Sequence, residues 1–134
     1  MGEDSSGEFG LSVSSAGDFN GDGIADLIIG APHANGDSVD SGKSYLVFGR
    51  SSGFPASLPL STLDGSNGLR LIGASLRDES GRSVSNVGDI NADGIDDVIV
   101  GAWKADNAGN ASGSAYVVFG ATVFSSSALF AVVT

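Results

Sequence analysis

The sequence predicts an all-β protein made of two copies of one small antiparallel sheet. Three observations predict it. Glycine is abundant, 21 of 134 residues against three prolines, and it brackets short β-branched and aromatic runs as turns bracket strands. No stretch keeps a 3.6-residue apolar period for three turns without a glycine, so helices find no place. Finally, the chain repeats itself at an offset of 71 residues: "GDFNGDGIADLIIGAP" from Gly17 returns as "GDINADGIDDVIVGAW" from Gly88.

The register holds along each copy. Gly10 matches Gly81, "SVS" at 12–14 matches 83–85, and "SGKSYLVFG" at 41–49 matches "SGSAYVVFG" at 112–120. Chance does not produce this, and internal repeats of such length mark stacked architectures. Each copy has a segment before its acidic loop (9–15 and 81–87), a run after it (26–31 and 97–102) and a third run (44–49 and 115–120). A fourth, at 69–74, follows the first copy only. For the second copy, the tail "ALFAVVT" at 128–134 or a neighbouring chain is the expected source of the last strand. The tail has the length of a strand and is far too short to cross a bilayer. The expected units are therefore 1–74 and 75–134.

A four-stranded antiparallel sheet with two apolar faces cannot bury both alone. Radial stacking of such sheets, as blades of a β-propeller, solves this. A β-sandwich would leave the 71-residue register unexplained. About two blades per chain are predicted.

Composition excludes several classes. The net charge is −10 with six basic residues, which argues against nucleic acid and against anionic membrane surfaces. The chain has no cysteine, so disulfides and thiolate metal sites are excluded. The opening "MGEDSSGEFG" has neither a basic nor an apolar leader region, so no signal peptide is predicted.

The acidic loops carry the chemistry. Counting from Asp18, side-chain oxygens fall at positions 1, 3, 5 and 9: Asp18, Asn20, Asp22 and Asp26. The second copy repeats them as Asp89, Asn91, Asp93 and Asp97. Gly23 and Gly94 stand at position 6, where a sharp turn needs positive φ. Ile24 and Ile95 at position 7 can each offer a backbone carbonyl. This all-oxygen set suits calcium, with magnesium second because of its stricter octahedral demand. Zinc prefers the nitrogen and sulfur donors that the loops lack. An EF-hand would need Glu at position 12, where Ile29 and Val100 stand inside apolar runs. Two structural Ca2+ ions per chain are expected, each ordering a loop whose carboxylates would otherwise repel.

These residues resemble the FG-GAP repeat of integrin α-subunit β-propellers. Phe9-Gly10 matches the "FG", and Gly30-Ala31-Pro32 the "GAP". The second copy departs, with Ser80-Gly81 and Gly101-Ala102-Trp103 in those places and Ala92 for the glycine at loop position 4. The resemblance implies a calcium-stabilised scaffold for recognition or adhesion, extracellular or at the cell surface in the parent protein. It implies protein partners on the loops opposite the acidic ones: "APHANGDSVDSGK", "AWKADNAGNASGS" and "SLRDES". Propellers of this type have about seven blades, so either the chain is a fragment or several copies assemble. A homo-oligomer is the expectation, a trimer ahead of a tetramer.

Other readings remain open on the sequence alone. A lectin-type propeller would use Trp103 to stack on a sugar, although packing between blades is the expected place for that ring. An enzyme has little support. His33 is the only histidine, and nothing orders it with Asp37 or Asp40 as a nucleophile's base. Asp37, Asp40 and Glu79 form no evident glycosidase pair, so an accessory fragment of a secreted enzyme is the remotest alternative. Arg77-Asp78 is read as a solvated turn.

Overall fold

The computed structural model describes residues 7–35, 39–73, 77–105, 112–123, 127–128 and 131–133. It is all-β apart from a 3-10 turn at Leu60–Thr62. Strands β1 (Ser12–Gly17), β2 (Asp26–Ala31), β3 (Lys43–Val47) and β4 (Gly68–Ile72) form an antiparallel meander. Strands β5 (Ser80–Gly88), β6 (Asp97–Ala102) and β7 (Ser114–Val118) begin a second sheet in the same way. Short β8 (Ser127–Ala128) adds to the first sheet parallel to β4, while β9 (Ala131–Val133) closes the second antiparallel to β7. Among the described residues no helix is long and apolar enough to cross a membrane.

The repeat is visible in the register. Ser14 pairs Ile28 and Ile28 pairs Leu46 in the first sheet; Ser85 pairs Ile99 and Ile99 pairs Val117 in the second. Both first strands carry a bulge at the same place, between Ser15 and Gly17 and between Asn86 and Gly88. A bulge twists the strand and re-aims the chain, in both copies into the acidic loop.

Side chains alternate across each sheet, which gives it two faces. The front of the first sheet carries Val13, Leu27, Ile29, Tyr45 and Val47; the front of the second carries Val84, Val98, Val100, Tyr116 and Val118. The backs carry Ser14, Ile28 and Leu46, and Ser85, Ile99 and Val117. The main core is the back of the first sheet on the front of the second. Ile28, Leu46, Leu69 and Leu71 pack with Val98, Val100 and Val118, joined by Ala16, Phe19 and Phe48. Burying each such large side chain contributes about 1.5–3 kcal/mol, so the two sheets hold as one stack.

Backbone approaches backbone at this junction. Ser12 Oγ donates to the Gly81 carbonyl at 2.8 Å. A Cβ at Gly30 would collide with that same carbonyl, which is a steric reason for the glycine of "GAP". Gly81 itself sits at φ 95, a conformation that favours glycine.

A smaller cluster covers the outer front of the first sheet. The connection between β3 and β4 folds back, and Leu60 and Leu63 pack with Tyr45, Ala31 and Ala34. Phe9 meets Tyr45 edge to face, ring centroids 5.4 Å apart.

Candidate metal loops

Each acidic loop joins the first two strands of its sheet, 18–25 between β1 and β2 and 89–96 between β5 and β6. In the first loop, Asp18 gathers the turn. Its Oδ1 accepts from the Asp22 N–H at 3.0 Å and its Oδ2 from the Gly23 N–H at 2.9 Å. Asp22 Oδ1 accepts from the Ile24 N–H at 2.9 Å, and Asn20 Nδ2 donates to Asp22 Oδ2 at 3.2 Å. The second loop repeats the frame. Asp89 accepts from Asp93 and Gly94 at 2.9 and 2.7 Å, and Asp93 from Ile95 at 2.9 Å. The Gly94 and Asp93 N–H groups hold the Asp89 carboxyl below the usual carboxylate range, the Gly94 bond first. Gly23 and Gly94 adopt φ 83 and 87, as the turn at position 6 requires.

The ninth-position aspartates do something the spacing does not reveal. Asp26 and Asp97 are buried. Asp26 Oδ2 accepts from the Phe19 N–H and its Oδ1 from the Gly49 N–H, both at 2.8 Å. Asp97 does the same with Ile90 and Gly120, both at 2.9 Å. Each therefore ties its loop to the strand end across the sheet. Burial pushes the Asp26 carboxyl up despite these bonds, and the Asp22 charge adds to the rise. Such a group gains from a nearby cation.

The donors suit a hard cation in kind, since every one is an oxygen. The structure brings Asp18, Asn20 and Asp22 together within one loop, and Asp89 and Asp93 within the other. Among the described residues no three Asp, Glu or His side chains are grouped to hold a metal by themselves. The amide and carbonyl oxygens would therefore have to complete the set.

The loops at the opposite end are described in part; residues 36–38, Asp37 included, and 74–76 and 106–111 lie outside the described residues. Two sequence readings change here. Trp103 does not pack between the sheets: it stands half exposed, and its Nε1 donates to Glu79 Oε2 at 2.8 Å. Lys104 Nζ donates to Glu79 Oε1 at 2.7 Å, and the Arg82 and Lys104 cations lie 5.2 and 5.1 Å from the Trp103 ring centre. Nor is Asp78 solvated: it is buried, like Glu79. Burial alone would raise the Glu79 pKa, but the bonds from Lys104 and Trp103 outweigh it and hold the carboxyl below its ordinary range. His33 sits between Glu8 at 3.6 Å and Asp40 at 3.8 Å.

Stacked antiparallel sheets in one repeat, each with an acidic loop on its first hairpin, are blades of a β-propeller. Residues 9–47 match the FG-GAP repeat family. The chain is 37% identical over 108 residues to integrin alpha pat-2 of Caenorhabditis elegans, 81% of this chain and 8% of that one. It is 43% identical over 100 residues to integrin alpha-PS5 of Drosophila melanogaster, 74% of this chain and 9% of that one. With integrin alpha-M of Mus musculus it shares 34% over 99 residues, 72% of this chain and 8% of that one. The chain is an FG-GAP repeat protein of integrin α type, and it spans less than a tenth of the length of these curated relatives.

Proposed function

We propose that this chain is a calcium-stapled pair of propeller blades that serves as a scaffold for recognition of adhesion type. The blades are 1–74 and 75–134. The observation that supports this is the loop pair: ten donor positions, repeated at one offset, in turns framed by the same backbone bonds. Asp18, Asn20, Asp22, Asp26 and the Ile24 carbonyl would hold one Ca2+; Asp89, Asn91, Asp93, Asp97 and the Ile95 carbonyl would hold the other. A bound cation would neutralise the crowded carboxylates and fix each loop at the base of its hairpin.

The role is structural, not catalytic. A protein ligand would engage the opposite loops, around Glu79, Trp103 and Lys104, outside the cell or at its surface as the integrin similarity suggests. Two observations favour protein over glycan there: the Trp103 ring lies beneath two cations, and its N–H is already committed to Glu79. Further blades complete the ring, by assembly of three or four copies.

Calorimetric titration with Ca2+, together with thermal unfolding in calcium and in chelator, tests the reading. Two bound ions and an unfolding midpoint that falls on chelation are expected. Asp22→Asn and Asp93→Asn should each remove one ion. No measurable binding and an unchanged midpoint would sink it.

A further inference from the structure

The two acidic loops differ at a position where their shared turn accepts either residue. The first reads Asn20-Gly21 and the second Asn91-Ala92. Gly21 takes φ 74 and Ala92 φ 61, the same left-handed turn. The glycine changes the chemistry of the asparagine before it. A main-chain amide nitrogen can attack the side-chain Cγ of the preceding asparagine. A glycine at that nitrogen favours the attack, because it has no Cβ in the way and wide backbone freedom.

The surroundings of Asn20 leave this reaction open. Gly21 is exposed, and its N–H, the attacking group, donates to no acceptor among the described residues. The Asn20 side chain is held by Asp22 through two long bonds. Its Oδ1 accepts from the Asp22 N–H at 3.3 Å, and its Nδ2 donates to Asp22 Oδ2 at 3.2 Å. Asn67-Gly68 is the same dipeptide in a closed setting. Asn67 Oδ1 accepts from the Asp64 N–H at 3.0 Å, and its Nδ2 donates to the Thr62 carbonyl at 2.9 Å. Gly68 is buried at the start of β4, opposite Val47. The third such pair, Asn35-Gly36, has its glycine outside the described residues.

We infer that Asn20 is a site of spontaneous deamidation, and that a cation in the first loop protects it. The Gly21 nitrogen bonds to Asn20 Cγ, the Cγ–Nδ2 bond breaks, and ammonia leaves with the Gly21 amide proton. Water then opens the five-membered imide. Opening at Cγ gives aspartate; opening at the main-chain carbonyl gives isoaspartate, whose backbone is one carbon longer. The protection rests on the calcium reading above. Attack requires Asn20 to turn its Cγ onto the Gly21 nitrogen, and an Oδ1 held as a ligand is fixed toward the loop centre instead. The longer backbone would break the frame. Asp18 reaches the Asp22 and Gly23 N–H groups across residue 20. The Asp18 N–H and the Phe19 carbonyl, just before it, bind Asp96 and Ala121 of the second copy. Isoaspartate at 20 therefore removes the first ion and loosens the junction, while the second loop keeps its own. Withdrawal of calcium is recorded irreversibly, and only in the loop that lies between the sheets.

The test incubates the whole chain at mildly alkaline pH, in chelator and in saturating calcium. Peptide mass spectrometry follows each asparagine, and circular dichroism confirms the fold. In chelator Asn20 should convert while Asn67 and Asn91 remain amides. Reaction through the ion-free loop alone slows the rate about a hundredfold at a calcium concentration a hundred times the dissociation constant. If chelation melts the sheets, the comparison is made with calcium at its dissociation constant, where half the loops are ion-free in a folded chain. Gly21→Ala copies the second loop and should abolish conversion; Ala92→Gly copies the first and should bring it to Asn91. An aged chain should bind one ion in calorimetry where the fresh chain binds two. Asn20 converting no faster than Asn67 or Asn91 in the folded chain would overturn the site. Equal rates with and without calcium, in a chain that binds two ions, would overturn the protection and leave the metal reading standing. Preferential conversion of Asn20 in a folded chain with no affinity for Ca2+ would support the site and remove the cation from the blade reading.

Discussion

The two acidic loops share a sequence, a turn and a set of backbone bonds, yet they live in different surroundings. The first is clamped. Asp96 and Asp18 exchange backbone and side-chain bonds across the sheets, and the Phe19 carbonyl accepts from the Ala121 N–H at 3.1 Å. The second has the same frame with no sheet behind it among the described residues, and Ile90 stands in solvent where Phe19 is buried. The frame is therefore a property of the local sequence, because it forms with or without a neighbour. The anchoring is a property of the stack.

Several measurements would test this contrast. The largest effect belongs to the anchors. Phe19→Ala should cost about 3–5 kcal/mol of unfolding free energy in denaturant titration, and Ile90→Ala less than about 0.5 kcal/mol. Equal costs would show that the second loop is also anchored. Next come the inward aspartates. Asp26→Ala strands the N–H groups of Phe19, Asn20 and Gly49, Asp97→Ala those of Ile90 and Gly120, and each should cost about 2–4 kcal/mol. Similar values for the two would confirm that the brace belongs to the single blade.

Asp96→Ala removes the cross-sheet acceptor alone and should cost about 1.5 kcal/mol. Hydrogen exchange should then quicken at the Asp18 amide and leave the Asp93 and Gly94 amides unchanged. The Glu79 knot ties β5 to the loop after β6. Its carboxyl is held below the ordinary glutamate range, so its stabilisation is complete above that range and is lost as the pH falls through the folded value. Glu79→Gln should flatten that acid limb of the stability profile. The smallest effect is a gain. Ala92 sits at φ 61 where the first loop has Gly21 at φ 74, so Ala92→Gly should raise the thermal midpoint by the equivalent of about 0.5–1 kcal/mol.

The blade was legible before any coordinates because the repeat carries its own alignment. The first three strands of each copy, the acidic turns and the propeller class come from pairs of residues 71 apart; the outer strands β4 and β9 do not share that offset. Similarity hides difference, however. Phe19 and Ile90 look interchangeable, and only the stack reveals that one is an anchor and the other is bare. Spacing also names donors without saying where they point, so the inward turn of Asp26 and Asp97 was invisible. Burial near a charged neighbour decides that, and it depends on Gly49 and Gly120 at the far end of another strand. Asp96 had a signal that could have been used. It stands where the two loops disagree, Ala25 against Asp96, and a break in a faithful repeat marks a contact that one copy makes and the other lacks. Glu79 had none, since Trp103 and Lys104 reach it from the far end of the next strand and only Arg82 is near it in sequence.

The order in which the strands arrive has its own consequence. Strands β1 to β4 are a meander of neighbours and can pair as soon as they leave a ribosome. The strand that covers the outer edge of β4 is β8, beginning at Ser127, so a nascent chain completes the second sheet's first three strands before that edge is sealed. During this interval a row of unpaired backbone groups on Leu69–Leu71 is open to any extended chain nearby. Synthesis that stalls after β7 would therefore release a folded stack with two sticky margins, the outer edges of β4 and β7, since β9 at Ala131–Val133 is also still to come, and truncation before Ser127 should show itself first as aggregation and only afterwards as lost stability.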